Sequence, residues 1–221
     1  MPPPSPPSPP PAPPTVECDS NIGLCGSPII ECQRGGATIA LNLSTATVAH
    51  SNLGGLGPDI ESPPTILYRS VGVAASGRPT DLLVSALSTY TPRNPSANGL
   101  SGRFGSINLD AGSSVILQFA FVDSENNEPA VVEQAYLSIF DIDHNTDGSG
   151  TETLWSAGFS SYLRADDAEL EILYTGGAEV QFRSTAAGTN GDNPVDPTYL
   201  TASQRRRAVM LSFRETWQMT V

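Results

Sequence analysis

The chain has 221 residues, 15% of them charged, with a formal net charge of −12 and no lysine, so its basic residues are all arginine. That balance argues against nucleic acid or an anionic membrane surface as a partner, because phosphate binding needs a basic face. No window approaches the length of apolar sequence needed to span a bilayer, so no membrane insertion is expected, whereas divalent cations and a soluble surface are compatible with the charge.

In chain order the first element is a tract of proline, serine and alanine running from Pro2 to Pro14 (PPPSPPSPPPAPP). Proline fixes φ and removes the backbone donor, so residues 1–15 read as an extended polyproline II rod with almost nothing to bury. Such a rod spaces, carries sugars or docks on something else, which points to an extracellular structural or adhesive role. A Met followed directly by prolines, with no signal peptide, reads as a processed product or a fragment.

Residues 16–36 form a linker carrying Cys18, Cys25 and Cys32, each separated by six residues. Zinc sites favour CxxC pairs and a fourth ligand, so the cluster reads as a disulfide staple with one thiol over. That thiol pairs between chains or is free.

From residue 37 to 221 the sequence reads as one all-β domain. Residues 38–49 (TIALNLSTATVA) alternate apolar and hydroxyl side chains, and Asn42-Leu43-Ser44 is an N-glycosylation sequon within that strand pattern. Residues 51–64 are loop, followed by strands at 65–73 and 81–90 and a Gly/Asn/Pro cluster from Thr91 to Gly102. Strand 114–123 sets Val115, Leu117, Phe119 and Phe121 on one face; 131–143 continues through Ala135, Leu137 and Ile139. Further strands are read at 169–174, 178–183, 207–213 and 216–221, with 160–170 as a short helix candidate. About ten short strands separated by turns describe an antiparallel β-sandwich or jelly-roll-like domain.

The sharpest chemical signal is Asp141-Ile-Asp143-His-Asn145-Thr-Asp147-Gly148-Ser-Gly150-Thr-Glu152. From Asp143 it matches the first half of an EF-hand loop, but position twelve would be Leu154 and Glu152 arrives two residues early. The expectation is a calcium loop at a sandwich edge, using Asp141, Asp143, Asn145, Asp147 and Glu152; otherwise it is a solvated turn. Asp123 is either a further ligand or the start of a turn. The acidic run Asp166, Asp167, Glu169 and Glu171 reads as a solvated face. Arg205-Arg206-Arg207 reads as a solvated approach to a strand or as an intersubunit patch. Trp155 and Trp217 are core or edge residues, or a sugar-stacking platform. No GxSxG, HExxH or Walker pattern occurs, and the two histidines, His50 and His144, complete no nucleophilic constellation, so no enzymatic activity is expected.

The proline tract resembles the hydroxyproline-rich spacers of algal and plant surface glycoproteins such as pherophorins and extensins. The segment LSIFDIDHNTDGSGTE (137–152) is similar to an FDxD…G…E stretch of secreted β-sandwich domains from unicellular algae and other protists, and RAVMLSFRETWQMTV (207–221) to their terminal strand pair. The resemblance implies hydroxylation and O-linked sugars on Pro2–Pro14, including Pro3, Pro4, Pro6, Pro7, Pro9, Pro10 and Pro11, with Ser5 and Ser8. It implies Asp141, Asp143 and Glu152 as calcium ligands. It also implies a role in walls, flagellar hairs or extracellular fibrils built by self-assembly. The expected function is therefore a structural subunit of a glycosylated filament or surface coat. The alternative is a calcium-dependent carbohydrate-binding module on a glycosylated stalk.

Overall fold

A computed structural model describes residues 43–221 except 75, 176–177 and 190–192. The proline rod, Cys18, Cys25, Cys32 and Asn42 lie outside the described residues, as do the proposed sugar positions on the rod. The described chain is all-β and antiparallel, with one short α-helix and two 3-10 turns, and no helix in it is long and apolar enough to cross a membrane.

The largest sheet has five strands. They are β1 (Thr47–Ser51), β2 (Thr65–Val73), β3 (Pro79–Ala86), β6 (Leu117–Asp123) and β13 (Gln218–Thr220), hydrogen-bonded in the order β1-β2-β3-β6-β13. A hairpin of β4 (Gly99–Ser101) and β5 (Phe104–Ser106) lies between β3 and β6 in sequence and reaches β1, where the Ser51 hydroxyl donates to the Asn98 carbonyl at 3.4 Å. A second sheet contains β7 (Val132–Ile139), β12 (Val209–Thr216) and β9 (Ser161–Leu163), in the order β7-β12-β9. A third contains β10 (Leu170–Tyr174), β11 (Val180–Ser184) and β8 (Thr153–Ser156), in the order β10-β11-β8.

Strand alternation gives each sheet an apolar face, and those faces meet in one core. In the large sheet Ile66, Val84, Phe119 and Met219 form one cross-strand row and Tyr68, Leu82 and Phe121 the next, all 8% exposed or less. The other two sheets meet through aromatic side chains. Phe182 on β11 packs edge-on against Tyr162 on β9 with ring centroids 5.2 Å apart, and Phe159 touches both rings and Phe213 on β12. Such edge-to-face contacts each add about 0.5–1.5 kcal/mol beyond area burial. The β12 strand turns at Glu215, with φ of 46°, and Trp217 before β13, so one stretch of chain serves two sheets.

The acid in the large sheet is buried for a reason. Asp81 on β3 is fully buried, and its carboxylate accepts from the Arg69 guanidinium (2.8 Å), the Ser70 backbone N–H (2.9 Å) and the Ser124 hydroxyl (2.7 Å). Ser70 has φ of 61°, in the left-handed region, where the β2–β3 register breaks between Tyr68 and Gly72. The carboxylate thus holds a bulge in β2 and the turn after β6 at once.

Several expectations shift. The 160–170 helix is instead β9 and a turn, because Ser161–Leu163 hydrogen-bonds to β12. The helix is α1 (Ala202–Arg206), started by a capping box in which the Thr201 hydroxyl accepts from the Gln204 N–H while the Gln204 side chain accepts from the Thr201 N–H. The strand expected at 38–49 is described only from residue 43, where a turn precedes β1. Strands β4, β5, β8 and β9 are not among the expected strands.

Because three donors converge on a buried carboxylate, Asp81→Ala is expected to destabilise the domain by roughly 3 kcal/mol by leaving Arg69 and the bulge without their acceptor. Asp81→Asn is expected to cost less, since one oxygen still accepts. Denaturant midpoints for the two variants check the order.

Candidate functional site: the acidic loop and its arginine clamp

The loop from Asp141 to Glu152 joins β7 to β8 and is pinned at both ends. Ile142 is 3% exposed and its N–H donates to the Arg207 carbonyl at 3.0 Å, so a buried apolar peg separates the two aspartates. Asp141 takes φ of 65°, a conformation aspartate tolerates better than branched residues do. The His144 N–H donates to the Ala186 carbonyl (3.2 Å), the Gly188 N–H returns to the His144 carbonyl (2.9 Å), and the Glu152 N–H donates to the Asp143 carbonyl (2.9 Å). The loop is therefore stitched along the segment that follows β11.

The five expected ligands are directed to different places. Asn145 and Asp147 serve the turn itself. The Asn145 amide donates to the Ser149 hydroxyl at 3.1 Å, and one Asp147 oxygen accepts from both the Ser149 N–H (2.9 Å) and its hydroxyl (2.6 Å). The Ser149 hydroxyl, then its N–H, hold the Asp147 carboxyl below its usual range. Asp141, Asp143 and Glu152 share one electrostatic neighbourhood. The Glu152 carboxyl is pushed up to about 7, first by the protein mass around it and then by the negative charge of Asp141, with Asp143 adding to the rise and its N–H opposing it. Glu152 still opens to solvent, so that shift is worth less in stability than a buried carboxylate's would be. Among the described residues no three His, Cys, Asp or Glu side chains are grouped closely enough, as they stand, to hold a metal ion.

Asp143 already has a cation. Its Oδ2 lies 3.6 Å from Nη1 of Arg207, and a Cβ on Gly188 would stand only 1.4 Å from the same oxygen, so glycine there is what admits the carboxylate. Arg207 is nearly buried, with 12% of its side chain exposed. Its Nε donates to Glu169 at 2.9 Å and its Nη2 to the Ala187 carbonyl at 2.7 Å. The planar guanidinium fork thus serves three acceptors on three separate segments, which a lysine ammonium could not reproduce. Beside it, Nε of Arg206 donates to Asp167 at 2.7 Å.

The acidic run, expected as a solvated face, and the arginine triplet, expected as a solvated approach to a strand or an intersubunit patch, are therefore partners inside one chain. Asp167 and Glu169 meet Arg206 and Arg207. Opposite-sign runs of similar length were the available signal; their separation in sequence hid it. Asp123 lies elsewhere. It accepts from Arg78 at 2.9 Å and from the Glu125 N–H at 2.9 Å, and the first of these does most to hold its carboxyl below the usual range. Eight residues of β7, about 26 Å of strand, separate that turn from the acidic loop. Trp155 and Trp217 are both part-exposed, at 42% and 37%. Trp155 stands in a cross-strand row with Gln181 and Leu173, on the face of its sheet turned away from the Phe182 core.

No protein-family model matches this chain, and no curated protein matches it. The chain is similar to a solved structure, the crystal structure of the N-terminal domain of the Streptococcus gordonii adhesin Sgo0707. The two share 11% identity with a TM-score of 0.42, over 71% of this chain and 42% of that one. This chain spans less than half the length of that structure, and a TM-score below 0.5 carries neither fold nor function from one to the other.

Two outcomes are expected at this site. Arg207→Met is expected to destabilise the domain by about 3 kcal/mol, and Arg207→Lys to recover only part of it, by thermal and chemical unfolding. In chelator, Glu152 binds its proton more tightly folded than unfolded, so its contribution is full below pH 4.5 and is lost as pH rises toward about 7. Stability measured across that window should fall for the parent and flatten for Glu152→Gln.

Proposed function

We propose that the protein is a structural subunit of an extracellular, glycosylated filament or surface coat that self-assembles through its N-terminal rod and its β-domain. The observation that carries this is the pairing of a hydrogen-bond-poor proline tract, Pro2–Pro14, with an antiparallel domain whose three larger sheets end in the strands β1 and β13, β7 and β9, and β10 and β8. A rod on one copy that docks on another makes a heterologous contact, and heterologous contacts that do not close produce filaments. Terminal strands supply a second route by strand addition. Sugars on the rod and at Asn42 would shield the assembly, and the clustered cysteines would staple the linker.

Calcium belongs to this proposal as the ion that relieves the mutual repulsion of Asp141, Asp143 and Glu152. Glu152→Gln separates the possibilities because its two effects have opposite sign. Without calcium, the substitution removes a carboxylate that resists ionisation and is expected to stabilise at pH 8. With calcium it removes a ligand and is expected to lower the melting temperature. An equal change in both conditions would mean a turn without an ion.

A second reading is favoured by the outward row of Trp155, Gln181 and Leu173: a carbohydrate-binding module on a stalk, its aromatic face stacking on sugar and its amide hydrogen-bonding hydroxyls. Size-exclusion chromatography and negative-stain imaging of the full chain, set beside a glycan array with and without EDTA, decide between them. Extended particles that disappear when Pro2–Pro14 is deleted support the subunit. Saccharide binding by a strict monomer, lost in Trp155→Ala, supports the module and discards the filament.

A further inference from the structure

The outer face of the β7-β12-β9 sheet carries a shallow groove. Register places Met210 beside Leu163 on that face, because their chain neighbours Leu211 and Tyr162 point into the core. Phe140, Leu200, Arg164 and Arg205 are also among the residues that line it. The groove encloses only about 30 Å³, well short of the several hundred Å³ typical of small-molecule sites. What fits such a surface lies across it as an extended segment.

The charges identify the kind of segment. In a chain of net charge −12, Arg69, Arg78, Arg103, Arg206 and Arg207 all have carboxylate partners. Neither Arg164 nor Arg205 forms an ion pair with a described residue. Arg164 donates from one nitrogen to the Ala165 and Asp166 carbonyls at 2.9 and 3.5 Å, and Arg205 donates to the Leu200 carbonyl and bears electrostatically on Asp167. Two guanidiniums with unused donors therefore flank an apolar floor.

Outside the described residues, the sequence Pro13-Pro14-Thr15-Val16-Glu17-Cys18-Asp19 has the complementary composition. Extended, it sets Pro14, Val16 and Cys18 on one edge and Thr15, Glu17 and Asp19 on the other, with the two carboxylates about 7 Å apart. It follows the densest part of the proline tract, so sugars on Pro2–Pro11 would project clear of the groove, and the docked segment carries Pro13 and Pro14 without sugar.

We propose that this groove is the docking site for Pro13–Asp19 of a second copy of the chain. The apolar edge lies on Phe140, Leu163 and Met210, and Glu17 and Asp19 pair with Arg164 and Arg205. This rests on the assembly reading above, and concentration is why the second copy wins. The 23 residues between Asp19 and Leu43 present a chain's own segment at millimolar effective concentration. A packed array with one domain per cube of about 50 Å edge presents neighbouring grooves at roughly 10 mM.

The test uses the full chain with a benzophenone amino acid in place of Val16, in an equal mixture of ¹⁵N-labelled and unlabelled copies, photolysed across a concentration series. Mass spectrometry is expected to find position 16 joined to peptides containing residues 138–140, 163 or 210 in mixed-isotope pairs, with yield rising with concentration. Arg164→Glu with Arg205→Glu should cut that yield at least about fivefold. Adding Glu17→Arg with Asp19→Arg should restore it, and Glu17→Ala with Asp19→Ala, which leaves the described domain untouched, should lower it alone. Products confined to single-isotope pairs would make the occupant the chain's own segment and overturn the proposal, as would products on another face or a yield indifferent to all three charge changes. Extended particles with crosslinks elsewhere would leave the assembly reading standing while sinking this groove. A monomer at every concentration would sink the assembly reading itself.

Discussion

Arg207 is the interaction on which the acidic end of the domain depends. Asp143 and Glu169 come from the loop after β7 and the approach to β10, and like charges brought together this way repel. A single planar guanidinium offsets this by serving Asp143, Glu169 and the Ala187 carbonyl at once, while its own backbone carbonyl holds Ile142 in the core. Because the chain carries no lysine, the side-chain salt bridges among the described residues are all made by arginine and its directional fork. The loop conformation follows from that geometry as much as from its own glycines.

Much of the fold was legible because strand alternation reports local burial. β2 begins and ends where its pattern does, at Thr65 and Val73, between a Pro-Pro pair and a Gly-containing turn. β7 reads from its Ala135, Leu137 and Ile139 alternation. β8 and β9 were missed because four and three residues are too few to establish a period. Ser161–Leu163 becomes a strand only through the bonds β12 offers it. The turn of helix at Ala202 was readable in the Thr201-x-x-Gln204 pattern, whereas the arginines that follow drew attention to charge instead.

The candidate site divides in the same way. Asn145, Asp147 and Ser149 behave as their local sequence dictates, forming a turn from neighbours two to four residues apart. The glycine that leaves room for the Asp143 carboxylate and the arginine that pairs with it lie 45 and 64 residues further along. Nothing in a stretch of acidic and amide residues encodes such distant contacts; they arise from the order in which sheets stack. The pairing of Asp167 and Glu169 with Arg206 and Arg207 was visible as two complementary runs, and only their juxtaposition required the fold.

The seam between β6 and β13 bears on how the domain forms. The Gln118 and Gln218 side chains bond across it at 2.8 Å although 100 residues separate them, and the Leu117 and Val221 backbones exchange hydrogen bonds beside them. Closing so large a loop is entropically costly before any contact rewards it, so maturation should be slow relative to helical domains of this size. Until that seam closes, the apolar β6 edge stands open to strands of other molecules, and the nascent protein would gain most from a chaperone during that interval.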